Sequence, residues 1–466
     1  MSENLEKTVP AEENSAADNI SDTSAEVELE LEDITEEKAD PEVDMTMGEK
    51  IKVLLMKPLW SSIIKWVFVV LGIAGLILYL VANESLAKAF SGVSGAIASF
   101  FNLFPISMFE ILICAAVLGI VAYLVFIIVR TVQVKGKFHK GGLWVQFAYS
   151  LLAVAGAFAI LMSMCYGVFT YRDPLSKSTE YTNAKVTNLN FSKTMLYLID
   201  GINNALNDGS SSIYFTKSGS SKYASSGRST EVISQKISEA FDNAAQDIPT
   251  LKGKSLNAKE LLFSDIYSNF RISSIYSPFT GELCINTNYP EIIIPMQIAK
   301  TMATQRGYTD DGDAMFIAFL ICTKYSDDAY IRYSGYFNAY VEFSSVFYNE
   351  NGKNLHLYMA NALKESAKKE YVQLVKTLDT LYGLSSDIEY VAASEKLPAS
   401  DYCDVAKLML VNFEENVEAG TIAIDDTETK SYGRFCNYLV NYYLLDYDFQ
   451  TEVEDVYADY HPSSVK

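Results

Sequence analysis

Histidine is scarce in this chain, and the scarcity limits the chemistry that its residues can support. Only His139, His356 and His461 occur in 466 residues, and no two of them lie three to five residues apart. Two histidines at positions i and i+4 share one face of a helix, where they can hold a tetrahedral zinc ion. That zinc signature is therefore missing.

Closely spaced cysteines are missing as well. The six cysteines, at 114, 165, 284, 322, 403 and 436, include no C-x-x-C pair, so the sequence predicts neither a zinc knuckle nor a regular disulfide framework. The first two lie in apolar runs and are predicted to be packing residues. An oxidising exterior would allow the other four to pair, while buried free thiols are the alternative, and the sequence leaves both open for Cys284, Cys322, Cys403 and Cys436.

Basic residues are outnumbered, with 37 Lys and Arg against 58 Asp and Glu and a net charge of −21. No basic patch indicates nucleic acid as a partner. Residues 1–48 hold sixteen of the acidic residues and two lysines, with few branched apolar residues and no aromatic residue to bury. This segment is predicted to be a disordered, solvating tail on the cytoplasmic side.

Long apolar runs are present in residues 49–170. Three of them, at about 63–82, 109–129 and 143–169, have the 20 or so apolar residues that a helix needs to cross a bilayer. The lipid bilayer is therefore an expected partner. Lys65 and Glu110 lie near span ends, where a charged side chain can reach water.

Lysine and arginine in the short loops predict the orientation, because such residues collect on the cytoplasmic side. Only one lysine lies between spans one and two, where residues 87–104 read as an outer loop or an interfacial helix. The sequence thus predicts a multi-pass protein of the cell membrane, with a cytoplasmic N-terminus and residues 171–466 outside. The basic residues that carry this interpretation are Lys50, Lys52, Lys57, Arg130, Lys135, Lys137 and Lys140.

The pattern changes after the third span to mixed helices with a few short strands. A Ser- and Gly-rich loop is predicted at 207–230, helices at 295–306 and 313–325, and a strand or hairpin within 275–294. Further helices are expected at 332–348, 354–383 and 431–447. The predicted fold class is a mainly α membrane protein carrying an α+β, mostly helical, extracytoplasmic domain.

Several separated motifs resemble one family. The strings SPFTGELCINTNYP, QRG, DDGDAMFIAFL, RYSGYFNAY and SYGRFCNYL, together with FPISMFEILI before the second span, are similar in identity and order to the DUF3810 family of bacterial membrane proteins. The resemblance covers nearly everything after the acidic tail. It implies a relative of the gluzincin-type zinc metallopeptidases, in which one helix carries H-E-x-x-H and the next helix supplies a third ligand.

This chain departs from that pattern at the positions that matter. Lys300 and Thr304 stand at the two histidine positions, Thr301 stands at the catalytic glutamate, and Asp313 stands at the third ligand. An ammonium group repels a dication and hydroxyl groups are poor zinc ligands, so zinc, the cofactor that the resemblance implies, is not expected. We expect Lys300 either to form an ion pair with Asp313 or to lie too far from it to interact.

Two other stretches of the shared motifs have open interpretations. Thr280, Gly281, Asn286 and Asn288 could belong to a strand that receives an extended peptide, or they could build a tight hairpin under the helix. Arg434 is predicted to make a buried charge contact. These five residues are the candidate ligand-binding set.

The leading hypothesis is a pseudo-peptidase: a membrane-tethered domain that cannot hydrolyse peptides and instead binds or scaffolds an envelope protein or peptide. The alternative is a hydrolase with an altered, metal-independent mechanism. A transport component is the third hypothesis, and it has little support because the spans carry almost no polar residues.

Overall fold

The computed structural model describes residues 59–134, 137–209, 213–215, 224–382 and 402–446. The predicted acidic tail, residues 210–212 and 216–223 of the Ser- and Gly-rich loop, His461 and the side chains of His139 and Cys403 lie outside the described part. The chain divides into two units after Ile63. All contacts below lie within the second unit, Ile64–Lys466.

Three apolar helices are long enough to span a membrane, as predicted. They are α1 (Leu59–Leu80), α3 (Met108–Gln133) and α4 (Lys137–Cys165), of 22, 26 and 29 residues. At a rise of 1.5 Å per residue they extend over roughly 33 to 43 Å, against a hydrocarbon core of about 30 Å. The predicted third span continued to residue 169, whereas α4 ends at Cys165 and a short 3-10 turn follows.

Helices α1 and α4 touch through glycine. A Cβ atom on Gly72 would lie 2.5 Å from the Cα of Gly156, and a Cβ on Gly156 would lie 2.3 Å from the carbonyl oxygen of Phe68. Between apolar helices in lipid, such small residues allow the backbones to approach closely and gain dispersion energy.

A further helix, α2 (Glu84–Phe101), connects α1 to α3. Its N-terminus is capped by Asn83, whose side chain accepts a hydrogen bond from the amide of Leu86. One face buries Ser94 and Ala98, while Val93 and Phe100 on another face are exposed. Of the two interpretations of residues 87–104, the helix is the correct one.

The rest of the chain is mostly helical. A small sheet has the order β3-β5-β4, with β5 parallel to β3 and antiparallel to β4, so the predicted hairpin is present as β4 and β5. Two pairs of residues inside the predicted loop of 207–230 form a second antiparallel pair, β1 and β2, which the sequence did not predict. The strands are β1 (Tyr214–Phe215), β2 (Ala224–Ser225), β3 (Lys259–Glu260), β4 (Ser274–Tyr276) and β5 (Leu283–Ile285).

The helices of this region surround one aromatic-rich core. The longest, α10, carries buried tyrosine and phenylalanine at helical spacing and packs along α5. The break predicted between 332–348 and 354–383 lies later in the chain: α10 continues to Ala360 with a kink at Gly352, where φ is +79°, and the next helix begins at Glu365. The helices are α5 (Asn188–Asp208), α6 (Thr230–Asp247), α7 (Ser264–Asn269), α8 (Ile294–Gln305), α9 (Asp311–Thr323), α10 (Ala329–Ala360), α11 (Glu365–Tyr382), α12 (Tyr402–Glu418) and α13 (Arg434–Asp446).

A buried glutamate directly before strand β5 holds the start of α3. Glu282, which is 2% exposed, accepts hydrogen bonds from the backbone amides of Met108 at 3.2 Å and Phe109 at 2.8 Å. It also accepts the Thr280 hydroxyl at 2.7 Å and forms an ion pair with the buried ammonium group of Lys259. The first amides of a helix have no partner within it, so this carboxylate caps α3.

Glu110 of α3 makes the reverse connection. It is 1% exposed, and its carboxylate accepts hydrogen bonds from the amides of Leu262 at 2.7 Å and Phe263 at 2.9 Å, just before α7. The expectation that Glu110 would extend towards water was wrong, because these two amides replace water as its partners. Lys259 also donates to the carbonyl oxygens of Phe101 and Ile106 at 2.8 and 3.1 Å, which ties the α2–α3 linker to the same place.

We expect Glu282→Ala to destabilise the protein strongly. Removing one partner of a buried ion pair leaves the other charge without compensation, at a cost of about 3–5 kcal/mol, and here two helix amides lose their acceptor as well. Thermal unfolding in detergent should show a clear fall in midpoint. Glu365→Ala, which breaks the exposed pair with Lys369, is the control and should change stability by about 0.5 kcal/mol or less. Equal effects of the two substitutions would contradict this assignment.

Candidate functional site

Lys300, Thr301 and Thr304, which the resemblance places at the H-E-x-x-H positions, lie on α8. Pro295 lies in its first turn, where a missing amide costs nothing, and Gly307 follows its end with φ of +95°. The Thr301 hydroxyl donates to the carbonyl oxygens of Gln297 and Ile298, at 3.0 and 2.9 Å. The Thr304 hydroxyl donates to the carbonyl oxygen of Lys300 at 3.1 Å. Both hydroxyl groups therefore bond to their own helix.

Lys300 forms an ion pair, but with a different carboxylate from the one predicted. Its ammonium nitrogen lies 2.5 Å from Oδ1 of Asp311, whose side chain is 81% exposed. Of the two expectations, the one without a Lys300–Asp313 ion pair agrees with the structure, because Asp311, in the first turn of α9, extends towards α8 while Asp313 is buried. Lys300 also lies close enough to Glu342 of α10 to counteract the desolvation that raises the pKa of that carboxyl group.

Asp313 is held by an arginine from the end of the chain. Nη1 of Arg434 lies 3.3 Å from Oδ2 of Asp313 and 3.2 Å from Oδ2 of Asp310, which caps α9 through the amides of Gly312 and Asp313. A Cβ on Gly312 would lie 2.7 Å from the Cβ of Arg434, so the arginine packs directly on this turn. Desolvation raises the pKa of Asp313, and the Tyr438 hydroxyl and Arg434 oppose that rise.

The residues at the motif positions do not fit a zinc ion. The two hydroxyl groups are used within the helix, the ammonium has a carboxylate partner, and the single carboxylate at the third-ligand position faces a guanidinium. Within the described part of the chain, no group of three or more His, Cys, Asp or Glu side chains could hold a metal. His356 is remote from this place: it packs against the rings of Phe347 and Tyr348, and burial lowers its pKa to about 4.

The hairpin candidates serve the fold. Thr280 donates to Glu282, and Gly281 turns the chain with φ of +67° where a Cβ would lie 2.6 Å from the Cβ of Ala98 on α2. The side-chain amide nitrogen of Asn286, Nδ2, donates to the carbonyl oxygens of Ser264 and Ile272, at 3.2 and 2.9 Å.

Asn288 extends the same network, since its side chain donates to Asp265 at 2.7 Å and its backbone amide donates to Asn286. Strand β5 pairs on both sides, so it has no free edge for a peptide. The predicted alternative of a hairpin held under α8 agrees with these contacts.

The cysteines of this region that the structure describes are free thiols. Cys284, Cys322 and Cys436 are buried, and desolvation raises the pKa of each thiol, to about 12 for Cys284 and Cys436. A thiol with a raised pKa is a poor nucleophile at neutral pH, so these residues are packing groups.

A buried carboxyl group that sequence reasoning missed lies on α11. Glu370 is 1% exposed, and desolvation raises its pKa to about 8, with Glu291 adding to the shift. Glu291 accepts a hydrogen bond from the Ser225 hydroxyl at 2.8 Å. In the sequence Glu370 follows two lysines and resembles a solvated helix face; only its four-residue spacing from Ser366 and Leu374 on a partly apolar face signals burial.

Glu370→Gln should stabilise the protein relative to the wild type, and the difference should increase as the pH rises. The folded-state pKa of about 8 exceeds the ordinary value of 4.5. The contribution of the Glu370 carboxyl group to the stability of the wild type is therefore greatest below about pH 4.5 and is lost as the pH rises towards 8. The glutamine has no such loss, and the difference should grow by at most about 1.4 kcal/mol per pH unit in that window. Thermal unfolding at several pH values measures it, with Glu365→Gln as the exposed control on the same helix. A difference that does not change with pH would contradict the assignment.

The structure also contains a cavity that sequence reasoning missed. It has a volume of about 830 Å³ and lies between α2, residues 169–178 after α4, the loop 249–254 and the end of α8. We call it the basic cleft, because five cationic side chains and one acidic side chain line it: Arg172, Lys177, Lys252, Lys254, Arg306 and Asp173. In the sequence, the only local signal was the pair of lysines in LKGK at 251–254.

Comparison with known proteins adds a family assignment. A family model described as "Protein of unknown function (DUF3810)" matches residues 86–392, about two thirds of the chain. The match begins in α2, includes α3, α4 and α8 to α10, and ends before α13, which carries Arg434. No curated protein and no solved structure matches the chain.

Proposed function

Because the chain belongs to the DUF3810 family, whose function is unknown, its role has to be inferred from its own residues, and we propose that it is a membrane-anchored, non-catalytic binding protein. In this proposal residues 171–466 have a metallopeptidase-like framework whose metal and general base have been replaced. The protein then acts as a pseudo-peptidase that binds or scaffolds an envelope protein or peptide.

The observation that carries the proposal is the ion cluster at the motif positions. Arg434 contacts Asp310 and Asp313, and Lys300 contacts Asp311. A guanidinium and an ammonium supply the positive charge that a bound dication would otherwise supply next to these carboxylates. Unlike a metal ion, neither group can accept a lone pair from water, so no hydroxide is generated there.

Restoring the motif tests the proposal. We expect Lys300→His, Thr301→Glu and Thr304→His, combined with Arg434→Met to release Asp313, to bind about one zinc per chain, because three ligands and a base suffice for a catalytic zinc site. Wild type should contain no stoichiometric zinc. Elemental analysis of the purified full chain measures both.

The matched control replaces the same positions by non-ligating groups of similar size: Lys300→Gln, Thr301→Gln and Thr304→Gln, again with Arg434→Met. Zinc binding by the restored variant no better than that of this control would contradict the metallopeptidase-like framework. Stoichiometric zinc in wild type, with chelator-sensitive peptidase activity, would contradict the non-catalytic role. Zinc-free peptidase activity that Lys300→Ala abolishes would favour the altered-mechanism hydrolase.

The proposal places residues 171–466 outside the cytoplasm, following the lysines that precede α1 and the lysine and arginine residues around the turn from α3 to α4. A cysteine introduced at exposed Lys353 should react with a membrane-impermeant maleimide in intact cells, whereas one introduced at Lys140 should react only after permeabilisation. The unsubstituted chain gives the background from native cysteines. The reverse pattern would contradict this orientation.

A further inference from the structure

The basic cleft lies where two of the apolar helices end. Helix α2 begins four residues after α1, and Arg172 follows the last residue of α4 by seven positions. A Cβ on Gly167 would lie 3.0 Å from the ring of Tyr79 on α1, so the ends of α1 and α4 meet. In a chain anchored by these helices, the cleft is at the level of the lipid headgroups.

Two arginines form the floor of the cleft and bond mainly to backbone oxygens. Arg172 donates to the carbonyl oxygens of Arg306 and of Thr250, the latter at 2.7 Å. Arg306 is 6% exposed and donates to the carbonyl oxygen of Leu251 at 2.7 Å and to the Ser255 hydroxyl at 2.6 Å. Neither arginine has a carboxylate within ion-pair distance in the described part of the chain, although the charge of Asp242 acts on Arg306 from farther away.

The rim of the cleft adds exposed lysines. Lys254 reaches across to α2, with its ammonium nitrogen 3.3 Å from the Ser99 hydroxyl. The side chain of Lys252 is exposed, and its ammonium group makes no hydrogen bond or ion pair with any described residue. On α2, Gly92 and Gly95 leave open space, since a Cβ on either would meet no atom within 4 Å.

The cleft also offers a hydrogen-bond acceptor. Oε1 of Gln305, at the end of α8, is buried and has no partner among the described residues. A ligand hydroxyl group next to the phosphate would satisfy it. The lining thus combines excess positive charge with one unused acceptor, in a chain whose net charge is −21.

Exposed apolar side chains lie beside the cleft. One group follows the cleft-lining residue Ser99 at the end of α2, and the other surrounds α7. Lys259 bonds to the α2–α3 linker beside the first group, and Glu110 of α3 bonds to the backbone of the second group. Such a patch beside a spanning helix fits acyl chains. Its members, 38% to 78% exposed, are Phe100, Leu103, Phe104, Ile106, Leu262, Phe263, Ile266 and Phe270.

We propose that the basic cleft binds the phosphate-bearing headgroup of an anionic lipid, with the acyl chains lying along this apolar patch. Cationic pockets at the ends of spanning helices suit anionic headgroups, and each nearby lysine or arginine contributes about 1 kcal/mol to such binding. The site shares only the membrane anchor with the proposed function; it does not depend on the loss of the metal site.

The test compares lipid retention by the full chain after purification in detergent. Phosphatidylglycerol and phosphatidylcholine are offered separately, and native mass spectrometry measures the retained lipid. Wild type should prefer phosphatidylglycerol, and Lys252→Ser with Lys254→Ser should bind it at least about tenfold more weakly, since about 2 kcal/mol is removed. Lys185→Ser with Lys353→Ser removes the same charge from exposed positions outside the cleft and should retain wild-type binding.

Competition with inorganic phosphate and glycerol phosphate separates the lipid from a free phosphate. A lipid-headgroup site predicts that neither soluble anion displaces phosphatidylglycerol at equimolar concentration, because neither has acyl chains. Displacement by either anion would mean that the cleft binds soluble phosphate and would overturn the lipid assignment. Equal losses in the cleft and control variants, or no preference between the two lipids, would overturn the site itself.

Discussion

Glu110 and Glu282 lie where water cannot reach them, and a carboxylate is stable in such a place only when hydrogen-bond donors replace water. Two backbone amides serve Glu110; two amides, a hydroxyl group and an ammonium serve Glu282. Each glutamate accepts two amide hydrogen bonds from the other side of this contact, whereas Thr280 and Lys259 serve Glu282 from its own side. The apolar helix α3 and the sheet region therefore cannot separate without leaving the buried Glu110 carboxylate and four amides unpaired.

These hydrogen bonds of Glu110 and Glu282 determine where the other features lie. They hold α7 and the end of α2 at the start of α3, and they bring the exposed apolar side chains of both to one place. The basic cleft shares α2 with this contact through Ala98 and Ser99. A rigid connection at α3 therefore fixes the orientation of the cleft relative to the apolar helices, which a flexible linker could not do.

The turn that carries Asp310 and Asp313 shows the same need of a buried carboxylate for nearby donors or positive charge. Asp313 is buried, the more exposed Asp310 lies beside it, and a buried carboxylate needs positive charge or hydrogen-bond donors nearby. Arg434 supplies positive charge from α13, a helix outside the family match. A charge supplied by a side chain is permanent and requires no metal.

The sequence predicted the features that depend on neighbouring residues. Apolar length predicted α1, α3 and α4, Pro295 and Gly307 predicted the limits of α8, and the turn around Gly281 predicted the hairpin. It did not predict the partner of Lys300, because a shift of one or two residues along α9 changes which aspartate faces α8.

Features assembled from distant segments were also missed. The basic cleft combines residues of α2, the segment after α4, the loop 249–254 and α8, and none of these segments is strongly basic by itself. Glu110 was interpreted from its distance to a span end, whereas its environment depends on Leu262 and Phe263, about 150 residues later in the chain. Such long-range contacts leave no periodic pattern in a single sequence.

Hydrogen exchange of the full chain in lipid nanodiscs tests the central contact most directly. Amides in the first turn of a helix have no partner within that helix, so protection of Met108 and Phe109 reports on Glu282 alone, and protection of Leu262 and Phe263 reports on Glu110. Because Glu110 and Glu282 accept hydrogen bonds from these four amides, we expect the amides to exchange as slowly as those of β5. Fast exchange at these positions, with β5 still protected, would contradict the account.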